Sequence, residues 1–314
     1  MTLEKTEPRL APPVGGSDRR RERRPHRQTH WLYLTPGLAL LAAWVYLPVV
    51  LTLALSVLDW HLIRGEGTFV GTDNFRRLFA DPEFRSASLR TVAYAVALLP
   101  FATVAPFAMA VLLWKHDGPA ARVYRALLFL PVVLAPVATA VSWRFLLDPL
   151  QGLANAALDV VAIPPVNWLG EGGSAFGVIV VLTGTKIFAL NTLLYLAGLA
   201  GIDRRLLEAA RVDGATEWDV TRRLVVPLLG RTTALVTFLC LVLAGQWAFV
   251  NVAVLTQGGP SGATDNVYYH LYDYAFDYFD TGLAAAAAVL LVVVFVPISL
   301  AYQRAGRRTP GGAG

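Results

Sequence analysis

Long apolar runs, broken by charged or turn-forming stretches, organise this chain. Trp31–Leu58, Thr91–Trp114 and Ala126–Trp143 carry no charge, and the third ends at Arg144. Gly172–Ile202 carries a single charge, Lys186. Thr232–Thr264 is charge-free but longer than one span needs, so it must also hold a loop. Thr281–Gln303 is charge-free and rich in Ala, Val and Leu. A membrane-spanning helix needs about 20 mostly apolar residues, so the pattern predicts six spans. Pro36, Pro48, Pro100, Pro106, Pro131, Pro136 and Pro297 fall inside them. Lipid-embedded helices tolerate proline where neighbours re-satisfy the freed carbonyls. Trp31, Tyr33, Trp60, Trp114 and Trp143 lie near run ends, as in an interfacial belt.

Composition agrees with an all-α integral membrane protein: 55% of residues are hydrophobic, 16% are charged and mean hydropathy is +0.52. A soluble domain carries about 25% charged residues. The net charge of +5 could suggest nucleic acid, but its distribution points to the membrane instead. Residues 1–30 form a basic tail, with Arg19, Arg20, Arg21, Arg23 and Arg24, too polar to bury a core. It is too long and basic for a signal peptide and lacks a cleavage pattern, so the first run is expected to be a retained helix. With the amino terminus in the cytoplasm, 20 of the 27 Lys and Arg fall on the inner side. Arg64, Arg76, Arg77, Arg85 and Arg90 fall outside, and Arg144 and Lys186 lie at membrane depth. This bias fits six helices with both termini inside. The expected organisation is a tail over 1–30, a transmembrane domain over 31–305 and a cytoplasmic end over 306–314. The Tyr- and Asp-rich stretch Asn266–Asp280 is expected to lie in the outer interface.

The loop at 203–229 between spans four and five carries the chemistry. Asp203 is placed to cap a helix over 204–213, with Leu206, Ala209, Ala210 and Val212 expected on one side. Gly214 permits a left-handed helix end, and Thr216 can cap a second short helix. Small residues at 209 and 210 would let another surface approach closely. Glu208, Ala209, Ala210, then Gly214, then Leu224, Val226 and Pro227, keep the spacing of the EAA loop of binding-protein-dependent ABC importer permeases. Leu224 stands where that pattern has Ile, and Val226 where it has Leu. Further stretches resemble the carbohydrate members: Phe69–Phe75 with Asp81–Phe84, Arg125–Pro131, Trp143–Phe145, and Gly152–Asn155. Leu255–Pro260 is similar to the larger maltose-importer subunit and to glycerol-phosphate permeases. The chain resembles their shorter, six-helix, MetI-like relatives over about residues 30–305.

That resemblance implies a type I importer transmembrane domain in a bacterial cell membrane. It would carry a sugar or sugar-like solute alongside a second permease, two ATP-binding subunits and an extracytoplasmic binding protein. Glu208, Ala209, Ala210, Asp213 and Gly214 would seat on the ATPase. The chain has no P-loop, so ATP and Mg would belong to that partner, and no cofactor or metal is expected here. Lys186, Asn191, Gln246, Trp247 and Asn251 are the candidates for the solute path: an intramembrane cation is a functional candidate by default, and an indole beside amides suits sugar. Each also has a packing explanation. A secondary transporter would need carboxylates deep in the spans, and none lies there. The scattered histidines His26, His30, His61, His116 and His270 form no catalytic or metal cluster, so no enzyme activity is expected.

Overall fold

The computed structural model describes residues 29–115 and 118–307. Most of the predicted basic tail, the end of the chain and His116 lie outside them. The chain divides into two units, residues 1–49 and 50–314. The described part of the first is helical: Thr29–Leu41, a π-helical turn at Ala42–Tyr46, and the start of Leu47–Leu55. Pro48 lacks an N–H, and the preceding turn widens so that the Leu47 N–H reaches the Ala42 carbonyl.

Five helices among the described residues are long and apolar enough to span: Tyr33–Leu55, Pro82–Lys115, Gly172–Ala200, Gly230–Thr256 and Thr281–Arg304. They correspond to spans one, two, four, five and six. Span three differs from the expected continuous helix. It consists of Val123–Val133 and Pro136–Leu146, bent by 95°. The cause is Pro136, which forces the residue before it out of the helical region. Ala135 takes ψ 129° and Leu134 is extended as well.

The helices meet in three apolar layers. In the middle, Tyr94 and Leu98 of span two, Ala140 of span three, Ile179 and Ile187 of span four, and Cys240 and Ala244 of span five pack together. At one end, Ala110, Val111, Tyr195 and Val236 pack with Leu207, Val220, Val225 and Leu229 of the 203–229 loop. At the far end, Leu78 and Phe84 pack with Val267, Tyr274, Leu283 and Ala287. The Asn266–Asp280 stretch is therefore a packed helix, Val267–Tyr272, with a π turn after it. It is more than an interfacial strap because Val267, Tyr269, His270 and Tyr274 are buried.

The stretch 59–90, between the first two predicted spans, is folded. A hairpin pairs Leu58–Trp60 with Gly67–Phe69, a helix runs Asp73–Ala80, and span two begins at Pro82 under an Asp81 cap. Buried Asn74 donates to the Ser56 and Leu58 carbonyls at 3.0 and 2.9 Å, which fixes the hairpin on the helix. Asn155 does the same for the stretch after span three. Its amide donates to the Pro149 and Val166 carbonyls, and its oxygen accepts from the Val166 N–H and the Trp168 indole. Two of the asparagines in the carbohydrate-permease resemblance are thus loop staples.

Candidate functional site

Two regions gather the predicted residues. The first is the 203–229 loop. The Asp203 carboxylate accepts from the Arg205 N–H at 2.9 Å and starts the helix Arg204–Val212. Gly214 follows at φ +83°, a left-handed conformation that suits glycine. The Thr216 hydroxyl accepts from the Asp219 N–H at 3.2 Å and starts Glu217–Val220. The result is a paired-helix turn. Its inward face differs from the expected one: Leu207 is buried, whereas Leu206 and Val212 are exposed, the latter to 88%. Leu207 and Ala210 are one turn apart and both meet the bundle. Leu206 and Ala209 lie on the opposite, exposed side together with Glu208.

Two clefts flank this turn. One of about 530 Å³ is lined by Glu208 with Arg204, Leu207, Arg211, Glu217, Trp114 and Lys115. The other, about 450 Å³, is lined by Ala210, Asp213, Gly214, Ala215, Asp219 and Leu224 among others. Glu208 thus borders the first opening, and Ala210, Asp213 and Gly214 border the second.

The second region is a cavity of about 510 Å³ among spans three, four and five. Lys186, Gln246, Trp247 and Asn251 all line it, with Thr183, Pro136 and Val132. The Lys186 ammonium donates to the Leu134 carbonyl at 3.2 Å, at the break in span three. The Asn251 amide donates to Thr183 Oγ1 at 2.9 Å. One cation, two amides, a hydroxyl and an indole thus share an otherwise apolar chamber. Asn191 does not join them. It is buried and donates at 2.9 Å to the Ala102 carbonyl. Pro106, four residues on, leaves that carbonyl without a helical donor, so Asn191 heals span two.

The sequence matches the family described as binding-protein-dependent transport system inner membrane component over residues 79–309. The chain belongs to this permease family. The permease is similar to the trehalose/maltose transport system permease protein MalF of Thermococcus litoralis, at 30% identity over 88% of this chain and 93% of that protein. It is 30% identical to the diacetylchitobiose uptake system permease protein NgcF of Streptomyces coelicolor, over 96% and 88% of the two chains. The lactose transport system permease protein LacF of Rhizobium radiobacter is 28% identical over 85% and 90%. A crystal structure of a bacterial ABC transporter that imports the acidic polysaccharide alginate shares the fold, with TM-score 0.80 at 21% identity, covering 90% of this permease and 96% of that chain. The family is a transport component, so the permease is a transport subunit and not an enzyme.

Three features of the permease escaped the sequence reading. Leu206, Val212 and Trp218 are exposed apolar residues on the turn; helix periodicity placed the first two but not their exposure. Glu217 pairs with Lys115 from span two at 3.2 Å and with Arg211 at 3.0 Å. At the far end a buried network joins two distant loops: His270 Nδ1 meets Asp265 at 2.9 Å, His270 Nε2 meets the Tyr274 hydroxyl at 3.0 Å, and that hydroxyl donates to Asp81.

Charge governs this far-end network. Burial lowers the His270 pKa, but the Asp265 hydrogen bond and charge, with Asp81 and Asp273, outweigh it and leave the value raised. Burial, Asp277 and Asp265 push the Asp273 carboxyl up to about 6. A group with a raised folded pKa stabilises fully below its unfolded value and loses that contribution as pH rises through the folded one. Both groups therefore favour the folded network in acid. Asp81 opposes them: burial raises its pKa, but the Tyr274 hydroxyl and the Glu83 and Phe84 N–H groups outweigh this and leave it lowered. Its contribution is lost only as pH falls below the ordinary carboxylate range. The unfolding midpoint of the detergent-solubilised permease should thus fall between about pH 5 and 8, and His270→Gln should flatten that slope. A midpoint that rises over this window would contradict the assignment.

Proposed function

We propose that the permease forms half of a path for a sugar or sugar-like solute and is driven through its 203–229 turn by a separate ATPase. The exposed paired-helix turn, with Glu208 and Ala209 on its open side, carries this reading. One of two ATP-binding subunits would seat on Glu208, Ala209, Ala210, Asp213 and Gly214, and that pair of subunits would hold the ATP and Mg. A second permease would close the path, and an extracytoplasmic binding protein would deliver the cargo. Both termini and the turn would face the cytoplasm of a bacterial cell. Support for sugar comes from the Trp247 indole beside Gln246 and Asn251, which suits stacking of C–H faces and pairing of hydroxyls. Relatives named for trehalose/maltose, diacetylchitobiose and lactose agree.

An acidic sugar is a second reading, favoured by Lys186. Among the described residues it donates to a carbonyl and has no carboxylate partner. The test is ATPase activity of the assembled importer in proteoliposomes, loaded with its binding protein and offered trehalose, maltose, diacetylchitobiose, lactose or an oligouronate. Stimulation by one of the neutral sugars is the expected result. Stimulation by the oligouronate alone would support the second reading, and stimulation by none of these sugars but by an amino-acid mixture offered in parallel would refute both.

A further inference from the structure

We propose that Glu217 is a positioning residue that ties span two into the movement of the coupling turn, making this span a rod gripped at both ends. The proposal rests on the docking reading above. Spans four and five are joined to the 203–229 turn by the chain itself, so they must follow it. Span two has no such connection. It meets the turn in the apolar layer that Ala110, Val111 and Trp114 share with Leu207 and Val220, and through Lys115, the last residue of its helix.

Apolar packing is non-directional and permits sliding. The charged contacts fix the register. One Glu217 oxygen lies 3.2 Å from Lys115 Nζ, and the other accepts from Arg211 Nε and Nη2, both at 3.0 Å. Lys115 also reaches Thr221 Oγ1 at 3.3 Å. Glu217 is thus the shared acceptor between the turn's first helix and span two. Its side chain is 54% exposed, and exposed ion pairs add little to stability. Its contribution is therefore to geometry, and variants there should fold.

The other end of the same span is also held. Tyr94 donates to the Thr264 carbonyl at 2.9 Å, and the Val267 N–H donates to Thr91 Oγ1 at 2.9 Å. Just before the span, Asp81 accepts from Tyr274. A displacement of the turn would therefore reach the 260–274 segment through span two, a route additional to the chain connections through spans four and five.

The test uses the importer assembled with its partner subunits in proteoliposomes. Arg85→Cys, on the exposed first turn of span two, serves as reporter. The sole cysteine of this subunit, Cys240, is fully buried, so its own background is low once the subunits are separated on a gel after labelling. The readout is the change in maleimide-dye labelling rate on adding ATP and vanadate, with co-purification of the ATPase measured alongside. Glu217→Gln and Lys115→Met should each shrink that nucleotide-dependent change about fivefold or more while the ATPase still co-purifies. The double variant should be no worse than Glu217→Gln alone, the non-additivity of residues acting as one unit.

An undiminished response in both single variants, or losses that add in the double variant, would overturn the tie. So would loss of ATPase co-purification in Glu217→Gln, which would make Glu217 a docking residue instead. Glu208→Lys separates the two levels. If it abolishes co-purification while Glu217→Gln changes nothing, the tie fails and the docking reading stands. If neither variant alters co-purification or labelling, the docking reading fails with it.

Discussion

Glu208→Lys should abolish ATP-driven uptake while leaving the permease inserted in the membrane at normal abundance. Glu208 is exposed and borders the cleft beside the turn. Substitutions at such surface positions usually change stability by no more than about 0.5 kcal/mol, so folding should survive. Docking should not. On the proposed docking, the Glu208 carboxylate would face a cationic group of the ATPase; setting a like charge there costs several kcal/mol, and about 3 kcal/mol corresponds to roughly a hundredfold weaker association. Uptake of the stimulating sugar and co-purification of the ATPase should fall together. Normal uptake with normal association would remove Glu208 from the interface. Glu208→Gln should be milder, since it removes the attraction without introducing repulsion.

Trp247→Ala should weaken transport of a sugar cargo while leaving ATPase association intact. The ring is half-buried, lines the mid-membrane cavity and packs against the central layer. Loss of an aromatic anchor in a binding site costs about 2 kcal/mol or more, or roughly thirtyfold in affinity. This should appear as a raised half-saturation concentration for uptake. Truncation also removes packing, so Trp247→Phe is the control: it keeps most of the bulk and the aromatic face. It should recover protein abundance fully and transport in part. If both variants transport like the parent, the indole is a packing residue and the cargo passes elsewhere.

What could be read in the sequence was local. Span lengths follow from runs of apolar residues, and the caps at Asp203 and Thr216 and the left-handed Gly214 follow from chain chemistry within a few residues. What could not be read was tertiary. Seven prolines lie in the predicted spans, and the sequence does not distinguish Pro136, where span three turns by 95°, from Pro106, whose orphaned Ala102 carbonyl is satisfied by Asn191, eighty-nine residues from Ala102 in the chain. The same contact explains why Asn191 is absent from the cavity that Lys186, Gln246, Trp247 and Asn251 share. Leu206 and Leu207 are adjacent and identical in type, and only the layer beneath them decides which is buried. Asp81 and Tyr274 are 193 residues apart, and no local pattern joins them.

Sidedness of the paired-helix turn is the most direct test. Val212→Cys places a thiol at a highly exposed position of the turn, and the buried Cys240 provides little competing signal. A membrane-impermeant maleimide should label this cysteine in inside-out vesicles and leave it untouched in intact spheroplasts. Labelling in spheroplasts would put the turn on the wrong side of the membrane for an ATPase and contradict the mechanism.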